Sequence, residues 1–190
     1  MARDQTSSQV SSSADGRTKI ANSRQPLLVM GLGNILWGDD GLGIAAVQKL
    51  LCNFYVPNGV RVLDGGTLGL ALLPVIQDAE RVLLIDAIRQ EEARPGAIVR
   101  IEGDDVAPAV RDRLSPHQVG VTDLLDAARL LGCYPERLVL LGIVPARLDF
   151  GFGSSAEVER QLDNLVNRVV EQALEWGYAF RSRADDNSAA

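Results

Sequence analysis

Apolar residues fall in short blocks along this chain, and the spacing inside each block predicts its conformation. Leu27–Met30 is an unbroken apolar run and predicts a buried strand, while Leu42–Phe54 carries the spacing of an amphipathic helix. Val60–Leu63 predicts a second strand, ending at Asp64-Gly65-Gly66. Thr67 is placed to cap a helix running to Gln77, which Pro74 should kink or shorten. Arg81–Ile88 is almost continuously apolar, the pattern of a strand covered on both faces. Gly96–Ile101 follows an Arg94-Pro95-Gly96 turn as a further strand, and residues 102–119 form a long polar connection. Thr122–Leu131 predicts a helix, Leu138–Val144 the last strand and Ser154–Trp176 a long C-terminal helix.

Strands alternating with helices predict a three-layer αβα sandwich around a mostly parallel, about five-stranded twisted sheet. Residues 26–178 form its single domain, flanked by a polar, serine-rich tail over 1–25, expected to be disordered, and a flexible C-terminal tail over 179–190. A chain of 190 residues suits one domain with a sizeable core.

Composition narrows the function. A net charge of −6 argues against nucleic acid as a partner. No apolar run approaches the roughly 20 residues that cross a bilayer, and the N-terminal stretch lacks the apolar core of a secretory signal, so a cytoplasmic protein is expected. Two cysteines, Cys52 and Cys133, read as small buried hydrophobes in a reducing compartment.

The chemistry concentrates at Gly31-Leu32-Gly33-Asn34-Ile35-Leu36-Trp37-Gly38-Asp39-Asp40-Gly41-Leu42-Gly43. The loop begins like a phosphate cradle and then sets two aspartates where a phosphate would sit, so it presents carboxylate to a cation or to its own backbone. A dinucleotide site fits poorly. Leu36 stands where a third glycine is due, and Asp64 comes 33 positions after Gly31, against about 20 in that fingerprint. One helix cap needs one aspartate, so Asp39 is assigned the structural role and Asp40 the functional one.

In such folds ligands gather beyond the carboxyl ends of the strands. Asp64 ends the second strand, Asp86 stands near the end of the most apolar one, and His117, the single histidine, lies in the long connection. A carboxylate such as Asp86 is costly to bury unless paired, hydrogen-bonded or bound to a cation. One imidazole with two or more carboxylates suits a divalent transition metal with open positions. A histidine serving as a ligand is not also a general base, and no serine has nucleophile-elbow surroundings, so a serine or cysteine hydrolase is disfavoured.

Five segments in order carry a resemblance: the 31–43 loop, Leu63-Asp64-Gly65-Gly66-Thr67, Leu84-Ile85-Asp86-Ala87, Ser115-Pro116-His117-Gln118 and Gly142-Ile143-Val144-Pro145. Together they resemble the hydrogenase maturation endopeptidases, which process the large subunit of nickel–iron hydrogenases. The resemblance implies a metal-recognition site of Asp40, Asp86 and His117, supported by Gly31, Gly33, Asn34, Asp39 and Asp64. Many members carry glutamate at the first ligand position, where this chain has the shorter Asp40. It further implies nickel carried by the substrate and no permanent cofactor. The partner would be the precursor of a nickel–iron hydrogenase large subunit, from which the enzyme removes a C-terminal extension with water as nucleophile; a monomer is the default expectation. A hydrolase with its own resident divalent metal, and a non-catalytic nickel-dependent chaperone, are the alternatives.

Overall fold

The computed structural model describes residues 25–111 and 116–187. The expected tail over 1–25 lies outside these residues apart from Gln25, which opens the first strand. In chain order the first elements are β1 (Gln25–Leu32), α1 (Leu42–Asn53), β2 (Phe54–Tyr55), β3 (Val60–Gly66), α2 (Leu73–Gln77), β4 (Ala79–Ala87) and β5 (Ile98–Glu102). There follow α3 (Val106–Arg111), α4 (Pro116–Leu130), β6 (Arg137–Ile143), α5 (Ala156–Glu159), α6 (Leu162–Glu175), β7 (Arg181–Ser182) and α7 (Ala184–Asn187).

Five strands make one sheet in the order β3-β1-β4-β6-β5. Four run parallel, and only the edge strand β5 runs antiparallel, against β6. Successive side chains of a strand point to opposite faces, and β1 divides its residues accordingly. Leu28, Met30 and Leu32 join a core with α2, α3 and α4, whereas Leu27 and Val29 join a second core with α1, α5 and α6. The sheet is therefore covered on both faces, which is why β1, β4 and β6 read as near-continuous apolar runs. Helix α6 buries Leu162, Leu165, Val166, Val169 and Ala173, one stripe at helical spacing.

The structure differs from the sequence expectations at several places. The helix expected over 67–77 is a 3-10 turn at Gly69–Leu72 followed by the short α2, with Pro74 in its first turn and no side-chain cap from Thr67. Proline lacks the N–H an interior position needs, so it begins this helix instead of lying inside it. The polar connection over 102–119 contains α3, and α4 already begins at Pro116, because Val106, Ala107 and Val110 bury an apolar face in the core. The long C-terminal helix is broken by a turn at 160–161, with Ser155 capping α5 through the Val158 N–H.

Cys52 is exposed on α1, and only Cys133 is buried. Finally, the C-terminal stretch expected to be flexible from 179 is paired up to Ser182. Strand β7 pairs antiparallel with β2, and Phe180 meets Phe54 edge-to-face at 6.5 Å. The guanidinium groups of Arg181 and Arg183 lie 4.6 and 4.1 Å from the Tyr55 ring centre. These partners are more than 100 residues away in sequence, and a polar tail gives no local sign of them.

Candidate active site

Glycines in the 31–43 loop bring the start of α1 hard against the ends of the central strands. A Cβ on Gly43 would come within 3.0 Å of the carbonyl oxygens of both Ile85 and Leu32, and to 2.7 Å from the Leu32 nitrogen. Gly33 has φ +126°, open to glycine and strained for other residues, and a Cβ there would strike the Asp40 carbonyl. Its N–H donates to the Gly66 carbonyl at 3.1 Å, which ties the loop to the end of β3. The 3-10 turn Gly38–Gly41, which carries both aspartates, packs against β4.

Asp39, Asp40 and Asp86 are all fully buried. Asp40 Oδ2 accepts the Asn34 N–H at 2.8 Å, and Asn34 Oδ1 in turn accepts the Leu36 N–H at 3.0 Å. Asn34 thus folds the loop into a small turn that holds one oxygen of Asp40. Asp86 Oδ1 accepts the Ala87 N–H at 2.7 Å, fixing its carboxylate at the strand end. Gly142, opposite Asp86 in the β4–β6 register, has no side chain, and a Cβ there would collide with the Asp86 carbonyl. Two buried carboxylates thus occupy the carboxyl edge of the sheet, one on the turn and one on the strand it packs against.

Asp39, expected to cap a helix, does not do so. Neither the 3-10 turn nor α1 has a side-chain cap. Its carboxylate instead reaches the segment after β6. Oδ2 accepts the Ala146 N–H at 2.8 Å, the Arg147 N–H at 3.0 Å and the Ser155 hydroxyl at 2.8 Å, and Oδ1 accepts the Ser155 N–H at 2.5 Å. Partners over 100 residues distant left no trace in local spacing. Asp64 stands near the end of β3, opposite Gly31 in register, and its side chain is exposed.

His117 lies in the first turn of α4 and not in an irregular connection. Its side chain is outside the described part of the structure, and among the described residues no three His, Cys, Asp or Glu side chains group to hold a metal ion. The backbone does fix its end of the molecule. Gly120, one turn into α4, touches Gly69 beyond the end of β3, and after the helix the Glu136 N–H donates to Glu80 at the start of β4. Helix α4 therefore begins at the carboxyl edge of the sheet, the edge that holds Asp40 and Asp86.

A rim of exposed apolar side chains borders this edge. Ile35, Leu36 and Trp37 come from the glycine loop and Leu68 and Leu70 from the chain after β3. Phe150 and Phe152, 76% and 75% exposed, come from the segment after β6. Trp37 meets Phe150 edge-to-face at 6.5 Å. Buried acids beside an apolar rim suit an enzyme that works on a protein surface, where exposed apolar area marks docking.

Fold and site together define an αβα enzyme with an acidic centre at the carboxyl edge of its sheet. The chain belongs to the hydrogenase maturation protease family, whose model matches residues 44–172, a stretch that includes Asp86 and His117 and begins just after Asp40. It is 38% identical over 154 residues to the hydrogenase expression/formation protein HupD of Rhodobacter capsulatus, covering 80% of this chain and 72% of that one. It is 32% identical over 151 residues to the hydrogenase 2 maturation protease of Escherichia coli K12, covering 80% and 92%. Among solved structures, the hydrogenase maturating endopeptidase HybD from E. coli superposes with a TM-score of 0.81 at 32% identity, over 84% of this chain and 99% of that one. Membership makes the chain a peptidase and bears out the expected fold.

Proposed function

We propose that this peptidase removes the C-terminal extension from the precursor of a nickel–iron hydrogenase large subunit, and that Asp40, Asp86 and His117 read the nickel carried by that precursor. The observation that carries the proposal is the burial of Asp40 and Asp86 at one sheet edge, in a chain of the maturation protease family. Buried carboxylates are retained where they are satisfied by hydrogen bonds or by a cation. Here one oxygen of each is held by a backbone N–H, an arrangement that orients the carboxylate as a ligand. A histidine at the same edge adds a nitrogen donor, and three protein ligands leave positions open for the precursor's own donors. Affinity would then depend on nickel being present in the precursor, which makes cleavage conditional on a finished metal centre. Nickel so held would polarise the bond or water under attack. The exposed thiol of Cys52 favours a reducing, cytoplasmic setting. Among the described residues no helix is long and apolar enough to cross a membrane.

The test is incubation of the purified chain with nickel-loaded and nickel-free precursor, read by mass spectrometry. Loss of the extension only from the nickel-loaded form is expected, and equal processing of both forms would refute nickel reading. The purified enzyme should carry no stoichiometric metal, and a tightly held equivalent would favour a resident-metal hydrolase.

A further inference from the structure

Asp39 does more than a capping residue requires. Its buried carboxylate gathers four donors from Ala146, Arg147 and Ser155. Its own N–H donates to the Arg147 carbonyl at 3.2 Å. Next to it, the Gly38 N–H donates to Gly151 and the Gly151 N–H to Leu36, both at 3.0 Å. Residues 36–39 are thereby joined to 146–155 along their length. The second segment is braced internally, since the Arg147 guanidinium donates to the Gly153 carbonyl at 3.0 Å and to Phe152 at 3.4 Å. That segment carries Phe150 and Phe152, and the first carries Trp37 and leads directly into Asp40.

We propose that Asp39 is a positioning residue: it locks the aromatic rim to the turn bearing Asp40, and so fixes the register between the docked protein substrate and the site of cleavage. Hydrogen bonds to a charged acceptor are the strong kind, and a carboxylate with four of them is a rigid joint. Asparagine in its place keeps the shape but turns an NH2 group toward donors, breaking the joint with almost no change of volume. The proposal rests on the reading of Asp40 as a group that faces the substrate.

Two readouts test it. Steady-state processing of nickel-loaded precursor is compared for wild type, Asp39→Asn, Ser155→Ala and Ser155→Thr, together with intrinsic tryptophan emission of the free enzymes. The chain has two tryptophans. Trp176 is buried and Trp37 is 38% exposed, so a shift in the emission maximum reports chiefly on the rim. In Asp39→Asn, kcat per folded molecule falls roughly 100-fold, the effect of misplacing a reacting group by about 1 Å, and emission shifts to the red. Ser155→Ala loses one of the four donors and falls roughly tenfold, and Ser155→Thr restores activity by keeping the hydroxyl. A purely structural Asp39 would lower the melting temperature and the folded fraction while leaving kcat and the emission of the folded molecules unchanged, and that result overturns the proposal. If Asp39→Asn does not fold, Ser155→Ala decides, and unchanged kcat and emission in that variant overturn it equally. If the wild-type chain does not process the precursor, the proposed function fails, and the emission shift alone still decides whether Asp39 locks the rim.

Discussion

Replacing Gly43 by alanine tests whether close approach of backbone to backbone holds the site together. Two effects oppose each other. Gly43 lies in the first turn of α1, where alanine is favoured over glycine by about 0.8–1 kcal/mol on helix propensity alone. Against this, the new methyl group would lie inside 3.0 Å of two carbonyl oxygens and 2.7 Å from the Leu32 nitrogen. Ordinary contact begins at 3.4 Å, so even the least crowded of the three demands a separation of about 0.7 Å. All three atoms belong to the backbone of β1 and β4, which cannot rotate away as a side chain could. Overpacking of this kind costs about 1–3 kcal/mol or more, so sterics outweigh propensity. A net loss of roughly 1–2 kcal/mol lowers the melting temperature by roughly 2–8 °C in a domain of this size. The relaxation also moves the turn off β4 and carries Asp40 away from Asp86, so processing should fall by roughly 100-fold. Thermal unfolding by circular dichroism gives the first number and single-turnover processing of precursor the second. A Gly43→Ala protein as stable as wild type, or more so, and fully active would show that helix propensity outweighs the backbone clash and that close approach does not hold the site together.

Asp86→Asn keeps size and shape but removes the charge, and should abolish processing while leaving the folded state intact by circular dichroism; wild-type turnover would remove Asp86 from the ligand set. Asp40→Glu should retain more activity than Asp40→Ala, because it keeps a carboxylate at the turn, and the reverse order in a precursor assay would refute Asp40 as a ligand. His117→Ala should abolish processing while leaving the folded state intact by circular dichroism, and wild-type turnover would remove His117 from the ligand set. Phe150→Ser with Phe152→Ser removes two exposed rings from the rim and should raise KM about a hundredfold or more, given about 1.5–3 kcal/mol for each large apolar side chain buried on docking. An unchanged KM would show that the substrate docks elsewhere.

The order of elements and the layered fold were legible in the chain because each central strand is buried on both faces, which forces an apolar run such as Leu83–Ile88 that no surface strand would carry. The acids were legible too, since a carboxylate in that run or beside a glycine turn is conspicuous wherever it occurs. Local patterns also located α6 and β6, whose periodicities are set by their own neighbours. Helix α3 was missed because its apolar face is short and set among acidic residues, and the pairing of β7 with β2 because its partners lie far away in sequence.

Tertiary packing alone shows what each of the two adjacent aspartates touches. Asp39 and Asp40 share one local sequence, so nothing within a few residues distinguishes a helix cap from a tie across the molecule. Folding carries Ala146, Arg147 and Ser155 to Asp39, brings the Asn34 N–H to Asp40, and packs the turn that holds both against β4. Chemical type is written residue by residue, whereas hydrogen-bond partnership depends on position in space, and over a hundred intervening residues only the packed sheet fixes that position.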